Sequence, residues 1–195
     1  MAITAQDVKK LREQTQASMA DCKKALEESG EDFAKAKEIL QRRGKQIAEK
    51  RAEKDAKSGI IEAYIHTNKK VGVLLELNCE TDFVAKNDTF GALAHDLAMH
   101  VAAMSPLYIS AADIPAEILE KQRASFSEEF QNSGKPEAVV KQIIEGKLKK
   151  FSDEICLLEQ PFIKNSDQKI KDLIDEYVGK IGEKIKIGRF VRFGI

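Results

Sequence analysis

GIIEAYIHTNKKVGVLLELNCETDFVAKND, residues 59–88, decides the fold. Ile61, Ala63 and Ile65 alternate with Glu62, Tyr64 and His66. Asn68-Lys69-Lys70 is a turn signal, and Val71, Val73, Leu75 and Leu77 then alternate with Gly72, Leu74, Glu76 and Asn78. A period of two predicts a β-hairpin. The two runs predict one buried face, built from Ile61, Ala63 and Ile65 with the Val/Leu set; Leu74 shows that the other face is not wholly polar. After Asn87 the period changes. Phe90, Leu93, Ala94, Leu97, Ala98, Val101 and Met104 repeat at alternating threes and fours, the stripe of an amphipathic helix. Asn87 or Asp88 is placed to cap it, and Ser105-Pro106 to end it.

Downstream, helices are predicted at about 115–132, 136–151 and 168–180. Pro115 and Pro136 suit first-turn positions, Gly134 separates the first two, and Ser166-Asp167 leads into the third. The tail EKIKIGRFVRFGI reads as a strand with a bulge or bend near Gly188. A lone hairpin is marginal in water. The tail is therefore expected to complete a three-stranded antiparallel sheet packed with helices.

Upstream, residues 1–44 read as three short helices. Thr4 with Asp7 forms a variant capping box, and Ile3 with Val8 a hydrophobic staple. Ser18 starts the second helix, with Met19, Cys22, Ala25 and Leu26 along its stripe. Ser29-Gly30 stops it, and Asp32 caps a third helix bearing Phe33, Ala36, Ile39 and Leu40. Gly44 is placed as the residue just past that helix. KQIAEKRAEKDAK follows, crowded with charge, and reads as a helical or flexible linker. The predicted class is α+β. It comprises a three-helix N-terminal domain over 1–44, a charged linker over 45–58, and an α+β core over 59–195.

Composition bounds the function. The chain has 195 residues, 43% hydrophobic and 33% charged, with Lys plus Arg at 32 balancing Asp plus Glu at 32. A protein that coats nucleic acid needs a net basic surface, so direct nucleic-acid binding is not expected. No apolar run approaches the roughly 20 residues that span a bilayer. MAITAQDVKKL lacks the apolar core of a secretory signal, so a soluble, cytoplasmic protein is expected. Cys22, Cys79 and Cys156 show no CxxC spacing and read as free buried thiols. The sequence shows no P-loop, no G-x-S-x-G and no G-x-G-x-x-G, and no cofactor is expected. His95 and His100 lie about 140° apart round a helix and cannot form a same-face metal pair.

Two places stand out. The stretch Asn78–Asn87 joins strand to helix, where exposed loop residues often carry function. Phe83 there either folds back onto the core, with Asp82 capping the helix, or projects as a wedge beside an acid. His100 sits at the margin of the apolar stripe, next to Met99 on the nominally solvated side. It is either a satisfied structural histidine or part of an interface.

Three stretches carry a family resemblance: VKKLREQTQASMADCKKAL at Val8–Leu26, ELNCETDFVAKND at Glu76–Asp88 and MHVAAMSPLYI at Met99–Ile109. LLEQPFIKN at Leu157–Asn165 and the GRFVRF tail add to it. The chain resembles translation elongation factor Ts over nearly its whole length. That resemblance implies a ubiquitin-associated-like N-terminal fold and a guanine-nucleotide exchange factor, not an enzyme, acting on elongation factor Tu in protein biosynthesis. It implies that Asp82 and Phe83, flanked by Thr81 and Val84, enter the partner near its Mg²⁺ site. It assigns further partner contacts to His100, Arg12, Met19 and Lys23. Gln16 stands where the family usually has Gly, Ser18 where it often has Gly, and Ala20 where a larger residue is common. Long members carry two related core halves, whereas this chain has residues for one. A homodimer is therefore expected, with Asp82 and Phe83 from one subunit and His100 from the other meeting the partner. The competing readings are an RNA-associated module, a ubiquitin-like-protein adaptor built on residues 1–44, and a thiol enzyme using Cys79.

Overall fold

The computed structural model describes residues 3–130 and 136–195. Helices α1 (Ala5–Thr15), α2 (Met19–Ser29) and α3 (Phe33–Arg51) form the N-terminal module. Each start is set by a side chain that accepts an otherwise unpaired N–H. Thr4 Oγ1 accepts from Asp7 N at 3.2 Å while Asp7 Oδ2 accepts from Thr4 N at 3.1 Å, a reciprocal box. The Thr4 hydroxyl, which donates to Asp7 Oδ2, and after it the Thr4 N–H hold the Asp7 carboxyl below the usual range. Ser18 accepts from Asp21 N, and Asp32 from Ala34 and Lys35 N. Val8, Leu11, Cys22, Ala25, Leu26 and Ala36 make the small core, with Ile3, Phe33, Ile39 and Leu40 at its edge.

The third helix does not stop at Gly44. That residue is buried mid-helix, where a Cβ would meet Asp175 O at 3.0 Å. Opposite it lies Gly179 of α8 (Ile170–Ile181), whose own added Cβ would meet Gly44 Cα at 2.9 Å. Gly44 is thus required for a close helix crossing and not for a left-handed stop. Residues 45–51, expected as a helical or flexible linker, take the helical form and are the last two turns of α3. Ile47 and Ala48 pack on the main core, and Lys45 pairs with Asp172 at 2.7 Å.

Strands β1 (Ser58–Ile65), β2 (Val71–Cys79) and β5 (Lys186–Gly194) form an antiparallel sheet in the order β1-β2-β5. Glu76 pairs with Arg189 and Leu77 with Ile187, so Gly188 is the extra residue of a bulge. The inner face carries Val73, Leu75, Leu77 and Ile187, with Ile60 and Tyr64 beside them. This corrects the expected facing of β1. Ile61, Ala63 and Ile65 point outward and share a face with Leu74, Val191 and Phe193. The strand is apolar on both sides at Ile60-Ile61, so the alternation alone did not fix its direction.

Helix α5 (Asp88–Met104) covers the inner face through Phe90, Leu93, Ala94, Leu97, Ala98 and Val101. Asn87 caps it by accepting from Thr89 N at 2.8 Å, and Ser105 leaves it at φ 51. Met104, expected in the stripe, is exposed. Helices α6 (Ala116–Phe130) and α7 (Glu137–Ile155) pair as a hairpin. The proposed separator Gly134 lies outside the described residues. Two short strands, β3 (Pro161–Phe162) and β4 (Asn165–Lys169), precede α8. Ser166 and Asp167, expected to start α8, therefore belong to β4, and Lys169 is the N-cap.

Candidate functional site

The corner between β2 and α5 is a single helical turn, α4 (Asp82–Ala85). Thr81 caps it with its hydroxyl, accepting from Val84 N at 3.4 Å. Four residues in a helical turn cannot all point inward. Val84 takes the inward position and joins the core. Asp82 and Phe83 take the outward ones, and Phe83 is 85% exposed. Of the two alternatives for this ring, the projecting one is what the chain adopts. An aromatic ring normally removes 150–250 Å² from water when it packs, so leaving one in solvent forgoes a large stabilisation. Val84 lies inside, so it anchors the turn and offers almost no surface of its own. The Thr81 hydroxyl is already engaged, donating to Glu183 Oε1 at 2.8 Å.

Below the corner, Cys79 is buried and its Sγ donates to Thr81 O at 3.2 Å. Burial, with Glu183 adding to it, pushes this thiol up. A nucleophilic cysteine needs the opposite shift, so the thiol-enzyme reading finds no support here. Glu80 turns the other way, toward Arg51 at the end of α3, whose Nη1 lies 2.8 and 2.9 Å from its two oxygens. The Lys184 N–H and that guanidinium hold the Glu80 carboxyl below the usual range. Arg51, Glu80, Glu183 and Lys184 were not singled out by sequence. Glu183 and Lys184 lie 103 and 104 positions from Glu80, and Arg51 lies 29 before it; the one local signal is Glu80's place inside the ETDF run.

The second sequence-marked feature lies elsewhere. His100, expected at a margin, is 0% exposed. The N–H of Ile163 donates to Nδ1 at 3.3 Å, which leaves the ring proton on Nε2 to donate to Gln160 Oε1 at 3.0 Å. Gln160 is itself fixed by donating to Glu154 O. Both ring nitrogens are thus satisfied, the condition under which a polar ring is buried without a large penalty. Burial holds the imidazole below its ordinary value, with the Gln160 bond opposing the shift. Met99 is half-buried, not exposed. The chain 160–164 covers the ring, and the side chains it presents to solvent are Pro161, Ile163 and Lys164.

In the N-terminal module Arg12, Met19 and Lys23 are all exposed. Met19 opens α2 directly after the Ser18 cap, and Lys23 lies 3.9 Å from Glu27. The connection between α1 and α2 turns through Gln16 at φ 56, a left-handed conformation that glycine adopts without strain. Among the described residues no hydrogen bond or ion pair joins Arg12, Met19 or Lys23 to the corner. The modules are joined through α3, by its crossing of α8 and by Arg51 on Glu80. No helix among the described residues is long and apolar enough to cross a membrane.

A family model described as Elongation factor TS matches residues 1–195. Elongation factor Ts of Thermodesulfovibrio yellowstonii is 55% identical over 195 residues, covering 100% of this chain and 97% of that protein. Its counterpart in Carboxydothermus hydrogenoformans is 53% identical over 191 residues, covering 98% and 88%. That of Pseudothermotoga lettingae is 50% identical over 195 residues, covering 100% and 98%.

Proposed function

The chain belongs to the elongation factor Ts family, and from that premise we propose that it is the guanine-nucleotide exchange factor of elongation factor Tu. The observation that carries the proposal is the outward aim of Phe83 beside Asp82 on a braced turn. An exchange factor must bind the nucleotide-free partner better than the GDP-bound one. By linkage it then weakens GDP by the same factor. Phe83 enters between elements of Tu and holds a distorted state. Asp82 disturbs the charge and hydrogen bonds around the Mg²⁺, so the phosphates are less well neutralised and GDP leaves. GTP then refills the site and displaces the factor. The chain itself makes and breaks no covalent bond, so it is not an enzyme, and it needs no cofactor, nucleic acid or membrane for this role. It works in the cytoplasm. The ubiquitin-associated-like module adds contacts through Arg12, Met19 and Lys23. The test is release of labelled GDP from Tu, which catalytic amounts of this protein should accelerate; an unchanged release rate rejects the reading.

The same proposal includes a homodimer. Its support is the outer sheet face, where Ile61 is 67% and Phe193 66% exposed, with Ile65, Leu74 and Val191 between and around them. A contiguous apolar patch of this kind marks an association surface. A second copy laid on it supplies the half that a single core lacks. The His100 region of that copy then reaches Tu through its cover, by way of Pro161, Ile163 and Lys164. Phe193→Asp should convert dimer to monomer in sedimentation while leaving the melting curve of the subunit nearly unchanged. A wild-type monomer at micromolar concentration rejects the dimer.

A further inference from the structure

Three segments distant in sequence meet beneath the exposed ring. Glu183 Oε2 accepts from the backbone N–H groups of Glu80 at 3.2 Å and Thr81 at 3.0 Å, and its Oε1 accepts from the Thr81 hydroxyl. The contact is reciprocal. Glu80 Oε1 accepts from the backbone N–H of Lys184 at 2.6 Å. Glu80 also receives Arg51, and Lys184 Nζ donates to the carbonyls of Ala52 at 2.6 Å and Lys54 at 2.8 Å. The end of α3, the start of α4 and the approach to β5 are therefore tied into one knot.

The bonds to the Glu183 and Glu80 carboxylates use charged acceptors, which makes them about twice as strong as neutral ones. They act on the backbone of residues 80 and 81, immediately before the residue pair that projects. A four-residue helical turn has almost no stability of its own, because its nucleus is unfavourable. Val84 pins only its inner side. Without the knot, the turn carrying Phe83 is held only by Val84 and half-buried Ala85 on the core, the Thr81 hydroxyl cap and the Cys79 thiol on Thr81 O. The exposed Phe83 contributes nothing to fixing it.

We propose that Glu183, together with the Arg51–Glu80 pair, positions the Asp82-Phe83 turn for insertion into the partner. They are positioning residues, since they act through the backbone of residues 80–84 and need not touch Tu. The knot also couples the N-terminal module to the wedge, because Arg51 closes the helix that carries that module. This inference rests on the exchange reading above.

The experiment uses the full chain and Tu loaded with labelled GDP. Release is followed against factor concentration, giving a saturating rate and a half-saturating concentration. A loss of folded molecules shifts the concentration only, because adding more factor restores the rate. A misaimed wedge lowers the saturating rate itself. Glu183→Gln keeps the size of the side chain but removes the charge and one acceptor. The saturating rate should fall roughly tenfold, with a much smaller change in the half-saturating concentration and a cooperative melt retained. A wild-type saturating rate in this variant overturns the proposal. If Glu183→Gln does not fold, Arg51→Met probes the knot from its other side, and the same fall or its absence decides. Wild-type protein that fails to accelerate release removes the exchange reading; active wild type with equally active variants removes only the positioning role.

Discussion

Phe83 and His100 form an inverted pair. The apolar ring stands in solvent, and the polar ring is fully enclosed. Transfer free energies alone would reverse both, since phenylalanine is commonly buried and histidine is intermediate. The difference lies in what each backbone permits. His100 sits on a long helix whose neighbour supplies an acceptor in Gln160 and a donor in the Ile163 N–H, so its desolvation is offset. Phe83 sits on a turn too short to bury two adjacent side chains, and Val84 occupies the inner place. A ring left outside by such a turn weakens the isolated fold and remains available to a partner.

The largest expected effect tests the outer member. Phe83→Ala should reduce stimulated GDP release about thirtyfold, the size of an aromatic hot spot worth about 2 kcal/mol. Its stability should stay within about 0.5 kcal/mol, as for other surface substitutions. Wild-type release would break the comparison, because the ring would then be exposed without use. A large fall in the denaturant midpoint would break it differently, by showing that the ring supports its own subunit.

The inner member should respond in the opposite sense. His100→Ala leaves a cavity, an unpaired Gln160 carbonyl and an unpaired Ile163 N–H. Together these should cost about 2–5 kcal/mol of stability in chemical denaturation. Affinity for Tu should be retained by the fraction that remains folded, save for displacement of the chain at 160–164. A variant of unchanged stability would return His100 to the interface role that the family resemblance gives it.

Such contrasts mark the limit of what this sequence discloses. The caps at Thr4, Ser18, Asp32 and Asn87 were legible because each depends on residues within three positions. The bulge at Gly188 was legible for the same local reason. Residues that answer to distant partners were not. Gly44 reads as a helix end until α8 lies across it; Ser166-Asp167 fails for a nearer reason, reading as a helix start until β4 folds back on β3 a few residues before it. The outward facing of Ile61 depends on a register that two adjacent isoleucines leave ambiguous. At the site, Asp82 and Phe83 were visible as an oddity of one loop. The bracing of that loop by Glu183 and the burial of His100 under Gln160 were not, because those partners lie 102 and 60 residues away.

The smallest effect concerns acidity and isolates the inner ring. Burial holds the folded-state value of His100 below its ordinary one, so the sign follows directly. Above the ordinary histidine value of about 6.5 the ring is neutral in both folded and unfolded chains, and its contribution is constant. As pH falls below that value the unfolded chain takes up a proton that the native chain refuses, and stability declines. The decline continues until the pH passes the depressed folded value. Its slope for one proton is at most about 1.4 kcal/mol per pH unit. Protonation also places a donor on Nδ1, where the Ile163 N–H already points, so the charged ring and the cover at 160–164 oppose each other. His100→Gln removes the titrating group while keeping a polar side chain there. The difference in unfolding free energy between wild type and His100→Gln should therefore shrink from pH 7.5 to pH 5.5. A constant difference over that range would mean that the imidazole is as easily protonated inside the protein as outside, and that its enclosure does not hold in solution.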